Sequence, residues 1–438
     1  MSQPISIGLD FGSLKYRAAY VLEGAVIPVP VPAADRTWVG LIMLQPTQTG
    51  LTFSSLKHEL GTGQPMSHRG GKETVEDIVR DNFINIKASV EEYAGEDAER
   101  VVISVPARYS AFRRSETLKI AKAAGFSKAA LINDCAAAAL GYTFDEGMEA
   151  ATLLVYSIGF IGFEVSLLRI AKGRLREIAH EGAKSPSGRD FDVWIMGACV
   201  RQLGLNTRTY TSHWFDLRAI ASEAKHQLAV NDETVLSLPT YITGTEPKDI
   251  LLQRADFEDA ITSEIQASTD LIDRILEDAN LKHADVDKVI LVGGSTRINY
   301  IQRQLEDKFG PKLIQPRDDI LARGAAVQAF KLTDEDWNAV PSSTEVVVEE
   351  AGEETTPIST TTVQPVQRES TKDVLPEPQR LIEAPPDELE TTQPDIEALF
   401  DYVQRLLDSK DYEKADEFTK SLLKRVETAR RELRKVRQ

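Results

Sequence analysis

A chain of 438 residues with a formal net charge of -17 has length for two or three domains, and its acidity excludes bulk binding to nucleic acid or anionic membranes. With 42% hydrophobic residues it has the composition of a globular protein, and Cys135 and Cys199, its only cysteines, form neither a disulfide framework nor a CxxC metal spacing. Both are expected to be core thiols. No apolar run is long enough to span a bilayer. The start, "MSQPISIGLDFG", runs directly into a strand without the charged and apolar segments of a leader. A cytoplasmic protein with no transmembrane segment and no DNA partner is expected.

The first stretch, to about residue 335, alternates short apolar runs with amphipathic segments, the pattern of an α/β domain. "ISIGLDFG", "RVVISVP", "ATLLVYSIG", "FEVSLLRI" and "DKVILVGG" read as strands. "FRRSETLKIAKAAG" reads as a helix stopped by Gly125. "LRAIASEAKHQLAV" and "RADFEDAITSEIQASTDLIDRILEDANL" read as two more amphipathic helices. Residues 336–393 are rich in Thr, Glu and Pro and have no helical period, so an acidic disordered linker is expected there. From Pro394 apolar residues recur at three- and four-residue steps, break at "DSKDY" and resume, so residues 394–438 read as one helical hairpin with a basic end. One such unit rarely folds alone, and its stripe of Leu399, Val403, Leu406, Phe418, Leu422 and Val426 calls for a docking partner in the same chain or another.

Three glycine-bearing turns stand at strand ends: "GLDFGSLKY", "SIGFIGFE" and "LVGGSTRI". Such turns expose backbone N–H groups, and the missing side chains let a phosphate approach closely. The second turn is the odd one, because Phe160 and Ile161 stand between Gly159 and Gly162 and no acid is present.

Together with "VVISVPARYSAFRRSETLKIAKAAGF", "LINDCAAAALGY", "SGRDFD", "ASEAKHQL" and "RDDILARGAAVQAF", these segments resemble the nucleotide-binding domain of the seventy-kilodalton heat-shock chaperones, within the actin-like ATPase superfamily. The resemblance runs from Ile5 to about Phe330, and "VILVGGSTR" followed by "ARGAAVQA" is its most specific part. It implies an α/β fold of two lobes, each a sheet with flanking helices, around a cleft for ATP or ADP and Mg2+. It implies protein partners of the co-chaperone or client kind.

The same resemblance assigns site residues. Asp10 matches the acid that acts on the metal through water, and Asp10 and Asp134 match catalytic acids. Gly12, Ser13, Lys15 and Gly159 fall on the phosphate side. Gly188, Lys225, Gly293, Gly294, Ser295, Arg297 and Asp318 fall on the adenosine side, with Asp192 in the hinge-side loop. Pro106 and Arg114 match an interlobe switch, and Lys15 and Lys225 read on their own as ordinary solvated lysines.

Departures cluster at the phosphates. The family's second loop is D-x-G-G-G-T, where this chain has Ser157, Gly159, Phe160, Ile161 and Gly162. The carboxylate and hydroxyl are gone and two glycines are filled, so Phe160 and Ile161 are expected either to occupy phosphate space or to refold the turn. Leu14 stands for a Thr, Lys15 for a neutral residue, and Asp134–Cys135 for Glu–Pro. A misplacement of about 1 Å can lower a rate on the order of a hundredfold. Lys57 matches a later lysine of the family's stretch, leaving the catalytic lysine without a counterpart. On the adenosine side Ser222 replaces a ribose-contacting Glu, and Ala229 replaces a Ser.

Three readings follow. The first is a regulatory or scaffold pseudo-ATPase acting through partner contacts. The second is a working chaperone ATPase with a rewired phosphate site. The third is a filament-forming actin-like protein. No strand-rich substrate domain is expected after residue 330.

Overall fold

The structure is a computed structural model, which describes residues 4–30, 41–43, 53–63, 65–68, 71–204, 214–243 and 246–339. Contacts divide the chain into two units, Met1–Ala351 and Gly352–Gln438, and every described residue belongs to the first. The expected linker, beyond residue 339, and the helical hairpin lie outside the described residues.

Two five-stranded sheets dominate and repeat one plan. The first runs β3-β2-β1-β8-β9, from Ala25–Pro28, Arg17–Leu22, Ile5–Asp10, Ala98–Val105 and Lys128–Asn133. The second runs β12-β11-β10-β15-β16, from Arg174–Ala183, Phe163–Ala171, Ala150–Ile158, Lys288–Val292 and Leu313–Ile314. In each, the central strand pairs antiparallel with the strand that follows it by a hairpin and parallel with a strand far downstream. The remaining strands form three two-stranded pairs, β4 (Leu41–Met43) with β5 (Phe53–Ser55), β6 (Pro65–His68) with β7 (Gly71–Thr74), and β13 (Glu233–Leu238) with β14 (Lys248–Gln253). The expected two-lobed α/β fold is therefore present, with the sheet duplicated.

Each sheet buries both faces, which is why its inner strands read as continuous apolar runs. The first packs outward on helices Val75–Ala94 and Ala111–Ala123, around Phe11, Tyr16 and Phe83. The second packs outward on helices Gly188–Leu203, Trp214–Leu228, Arg254–Asp278 and Asn299–Phe309. The inward faces share one core built on two helices. Asp134–Asp145 follows β9 of the first sheet yet lies mostly on the second, and Ile320–Lys331 follows β16 of the second yet lies on the first. The exchange needs close helix approach. A Cβ at Gly324 would stand 1.7 Å from the Ala137 carbonyl oxygen, and one at Gly8 would stand 2.0 Å from the Ala326 nitrogen. The "ARGAAV" block is small because two backbones meet there.

The folded body continues past residue 335. A last short helix, Asp334–Ala339, buries Trp337 beneath Arg100, which also pairs with Asp334 at 2.6 Å. Among the described residues no helix is long and apolar enough to cross a membrane.

Candidate nucleotide cleft

The turn between β1 and β2 and the turn between β10 and β11 occupy equivalent places in the two sheets. The first turn is anchored by Phe11, Tyr16 and Phe83, whose ring centroids lie 5.3 to 6.4 Å apart. Gly12 is required, since a Cβ there would stand 2.2 Å from the Lys15 carbonyl oxygen. Ser13 Oγ lies 3.4 Å from His58 Nδ1, which Ser55 Oγ also meets at 2.9 Å. Lys15 is exposed, as the plain reading of an exposed turn expects.

At the end of β1, Asp10 is buried and faces Arg17 at 3.6 Å. Burial pushes its carboxyl up to about 6, against the pull of Lys57 and Arg17. Asp134, the first residue of its helix, accepts from Lys57 Nζ at 2.7 Å. A lysine, matched in the sequence to a later position, stands beside these two acids. Lys57, on the short helix Leu56–Glu59, is buried against Asp134 and its charge also reaches Asp10 and Glu164.

Glu164 was missed in the sequence. It sits on β11 opposite Ser157, buried, with its carboxyl pushed up to about 7 by burial and by Asp134. A lone acid inside "FEVSLL" was the available signal, because an acid on a strand buried on both faces needs a reason to be there. Its Oε1 and Asp134 Oδ1 accept no hydrogen bond within the protein, and the buried Ser104 Oγ, Ser166 Oγ, Glu177 Oε1 and Arg114 Nη1 likewise make none. Arg114 is otherwise held by the carbonyls of Pro106, Ala107 and Tyr109 and by Asn133 Oδ1 at 2.9 Å, while Asn133 donates to Glu177 at 2.8 Å. The two residues matched to an interlobe switch thus touch each other and lead into the second sheet.

The second turn is different. Phe160 does not fill the cleft; it is 7% exposed within the core of the second lobe, with the Arg218 guanidinium 4.9 Å above its ring. Ile161 packs on the same core. Gly159 N–H bonds to the Gly162 carbonyl at 3.0 Å, and Gly162 takes φ +92°, the conformation that suits glycine. The carbonyls of Gly159 and Phe160 accept the Gly188 and Arg189 N–H groups, each at 2.9 Å. Those are first-turn amides of helix Gly188–Leu203, groups that can otherwise hold an anion. Of the two expected outcomes, the turn is refolded into the protein.

The adenosine-side residues come together, although by contacts among themselves. A Cβ at Gly188 would stand 2.9 Å from Ser295 Oγ, and one at Gly293, which has φ +88°, would stand 2.2 Å from the Ile158 carbonyl oxygen. Lys225 is no solvated lysine. Buried, it donates to Asp192 at 2.6 Å and to the Gly188 carbonyl at 3.2 Å, while Arg218 meets the fully buried Asp192 at 3.2 Å. Burial lowers the Lys225 pKa from its ordinary value, opposed by Asp192. Gly294 faces open space, and the exposed Arg297 pairs with Asp318. The residues matched to the adenosine side are thus gathered in one place. The phosphate side fits poorly, with the second turn's carbonyls and not its amides set against the neighbouring helix end. Among the described residues no cluster of His, Cys, Asp or Glu could hold a metal ion by itself.

A duplicated sheet, a shared helix pair and paired turns at a cleft define a two-lobed actin-like ATPase fold. The family model described as Hsp70 protein matches residues 54–380, well over half of the chain. The chain belongs to the Hsp70 family, whose domain of this type is chaperone-related and binds ATP or ADP with Mg2+ in general.

Proposed function

We propose that this chain is a regulatory or scaffold member of its family, acting in the cytoplasm through protein partners and turning over little or no ATP. The observation that carries the reading is the second turn, where Phe160 is core and the turn's carbonyls take up the amides of the adjoining helix end. Phosphoryl transfer depends on preorganised donors and charge around the γ-phosphate, and loss of one such group typically costs about 2.7 to 4 kcal/mol in the transition state. The gathered adenosine-side residues support weak binding of ADP or adenosine with little preference for ATP.

The second reading, a working ATPase, is favoured by Lys57, which pairs with Asp134 and acts electrostatically on Asp10 and Glu164. One experiment divides the two. Turnover of ATP with Mg2+ is expected at background in the full chain and in Asp10→Asn alike. Chaperone-like turnover that Asp10→Asn abolishes would overturn the first reading and establish the second.

A further inference from the structure

Two side chains of the first lobe make their contacts in the second, at the place where phosphates would lie. Leu14, in the turn after β1, packs against the second-lobe core that contains Phe160. Arg108, three residues beyond β8, donates from Nη2 to the Ala183 carbonyl at 3.1 Å, and its Nε stands 3.9 Å from Glu164 Oε1. Its seat is made of glycine. A Cβ at Gly182 would stand 3.0 Å from Arg108 Cδ and Nε, and one at Gly162 would stand 3.4 Å from Nη2.

We propose that Arg108 and Leu14 form a clasp that fixes the angle between the lobes without nucleotide. In a cleft whose walls carry phosphate-binding amides, the ligand supplies the bonds that join the lobes. Here an apolar contact and a guanidinium, both supplied by the chain, take that role. An apolar side chain at position 14 and bulky ones at 160 and 161 are then complementary halves of one contact, explained together by the lobe they join. The relay from Arg114 through Asn133 to Glu177 adds a third crossing beneath the clasp. The inference deepens the regulatory reading, since a lobe angle that nucleotide does not set is left for a protein partner to use. Its test involves no hydrolysis, so either can fail alone.

The test uses the full chain with spin labels at Glu92→Cys and Asp259→Cys, exposed positions on helices of opposite lobes; Cys135 and Cys199 are buried and stay unlabelled. Pulsed dipolar spectroscopy without nucleotide is expected to give one narrow distance population, unchanged by millimolar ATP with Mg2+. Arg108→Gln with Leu14→Thr is expected to add a second, longer-distance population, and each single variant a smaller share of it. Leu14 is half-buried and Arg108 exposed, and circular dichroism verifies that the variants fold. A broad unliganded distribution that narrows with ATP would overturn the clasp, and so would folded variants whose distribution matches the parent's.

Discussion

The turn after β1 and the turn after β10 begin from the same place in two copies of one sheet, and they have gone in opposite directions. The first keeps Asp10, Gly12 and Ser13, with Lys57 and Asp134 tied at 2.7 Å beside them. The second has lost its acid and hydroxyl and turned its middle inward, so that Phe160 belongs to the core. The difference teaches that a binding loop can be recruited for packing without changing the strands that hold it. Register is set by the sheet: Ile158 still faces Phe163, and Ser157 still faces Glu164. The four residues between are free to vary, provided glycine keeps the positive φ at 162.

The largest expected effect breaks that comparison directly. Phe160→Ala removes a buried ring and the face beneath Arg218, and should cost roughly 3 to 5 kcal/mol of stability. The matching change in the first turn, Leu14→Ala, removes a half-buried side chain and should cost about 1 to 2 kcal/mol. Urea denaturation of both variants measures the gap. Equal losses, or a neutral Phe160→Ala, would mean that the second turn is not part of the core.

A smaller effect sharpens the polar half. The Glu164 carboxyl is raised from 4.5 to about 7, chiefly by burial, so the native state holds a proton that the unfolded chain has already released. Stability from this group is therefore fully present below 4.5 and is lost as pH rises through about 7. Asp10, raised to about 6, acts in the same direction over a lower window. Melting curves across this range should fall with rising pH in the parent and fall less in Glu164→Gln. Parallel curves would show that Glu164 is not held protonated.

Much of this was legible in the sequence. The strands "ISIGLDFG", "RVVISVP", "ATLLVYSIG", "FEVSLLRI" and "DKVILVGG" all form, because buried central strands are apolar on both faces. Helix Ala111–Ala123 is followed by Gly125 at φ +93°, as the stop signal implied. Strand β12, "RLREIAHEGA", went unread because an edge strand with charged residues spread along it carries no apolar run. The place of Lys57 beside Asp134 was not legible, because its match was to a later lysine of the family's stretch and its partner lies 77 positions away. The burial of Phe160 was not legible either, since a turn has no periodicity from which to tell inward from outward.

The smallest expected effect asks whether the adenosine side binds at all. Lys225 and Asp192 are buried with Arg218 in one ionic cluster, so removing either unbalances buried charge, and any loss of ligand would be confounded with loss of fold. Arg297 offers a cleaner test. It pairs with Asp318 in the open, with side chains 44% and 62% exposed, and such pairs contribute at most about 1 kcal/mol. Arg297→Ala should therefore leave the melting temperature nearly unchanged. If the loop from Gly293 to Arg297 grips adenosine, the same change should weaken ADP binding several-fold in calorimetry, and adenosine by the same factor, because the contact lies away from the phosphates. A variant that binds ADP like the parent would leave Arg297 as a surface ion pair. A variant that loses ADP affinity and keeps adenosine affinity would put the guanidinium on the phosphate side and not beside the adenosine.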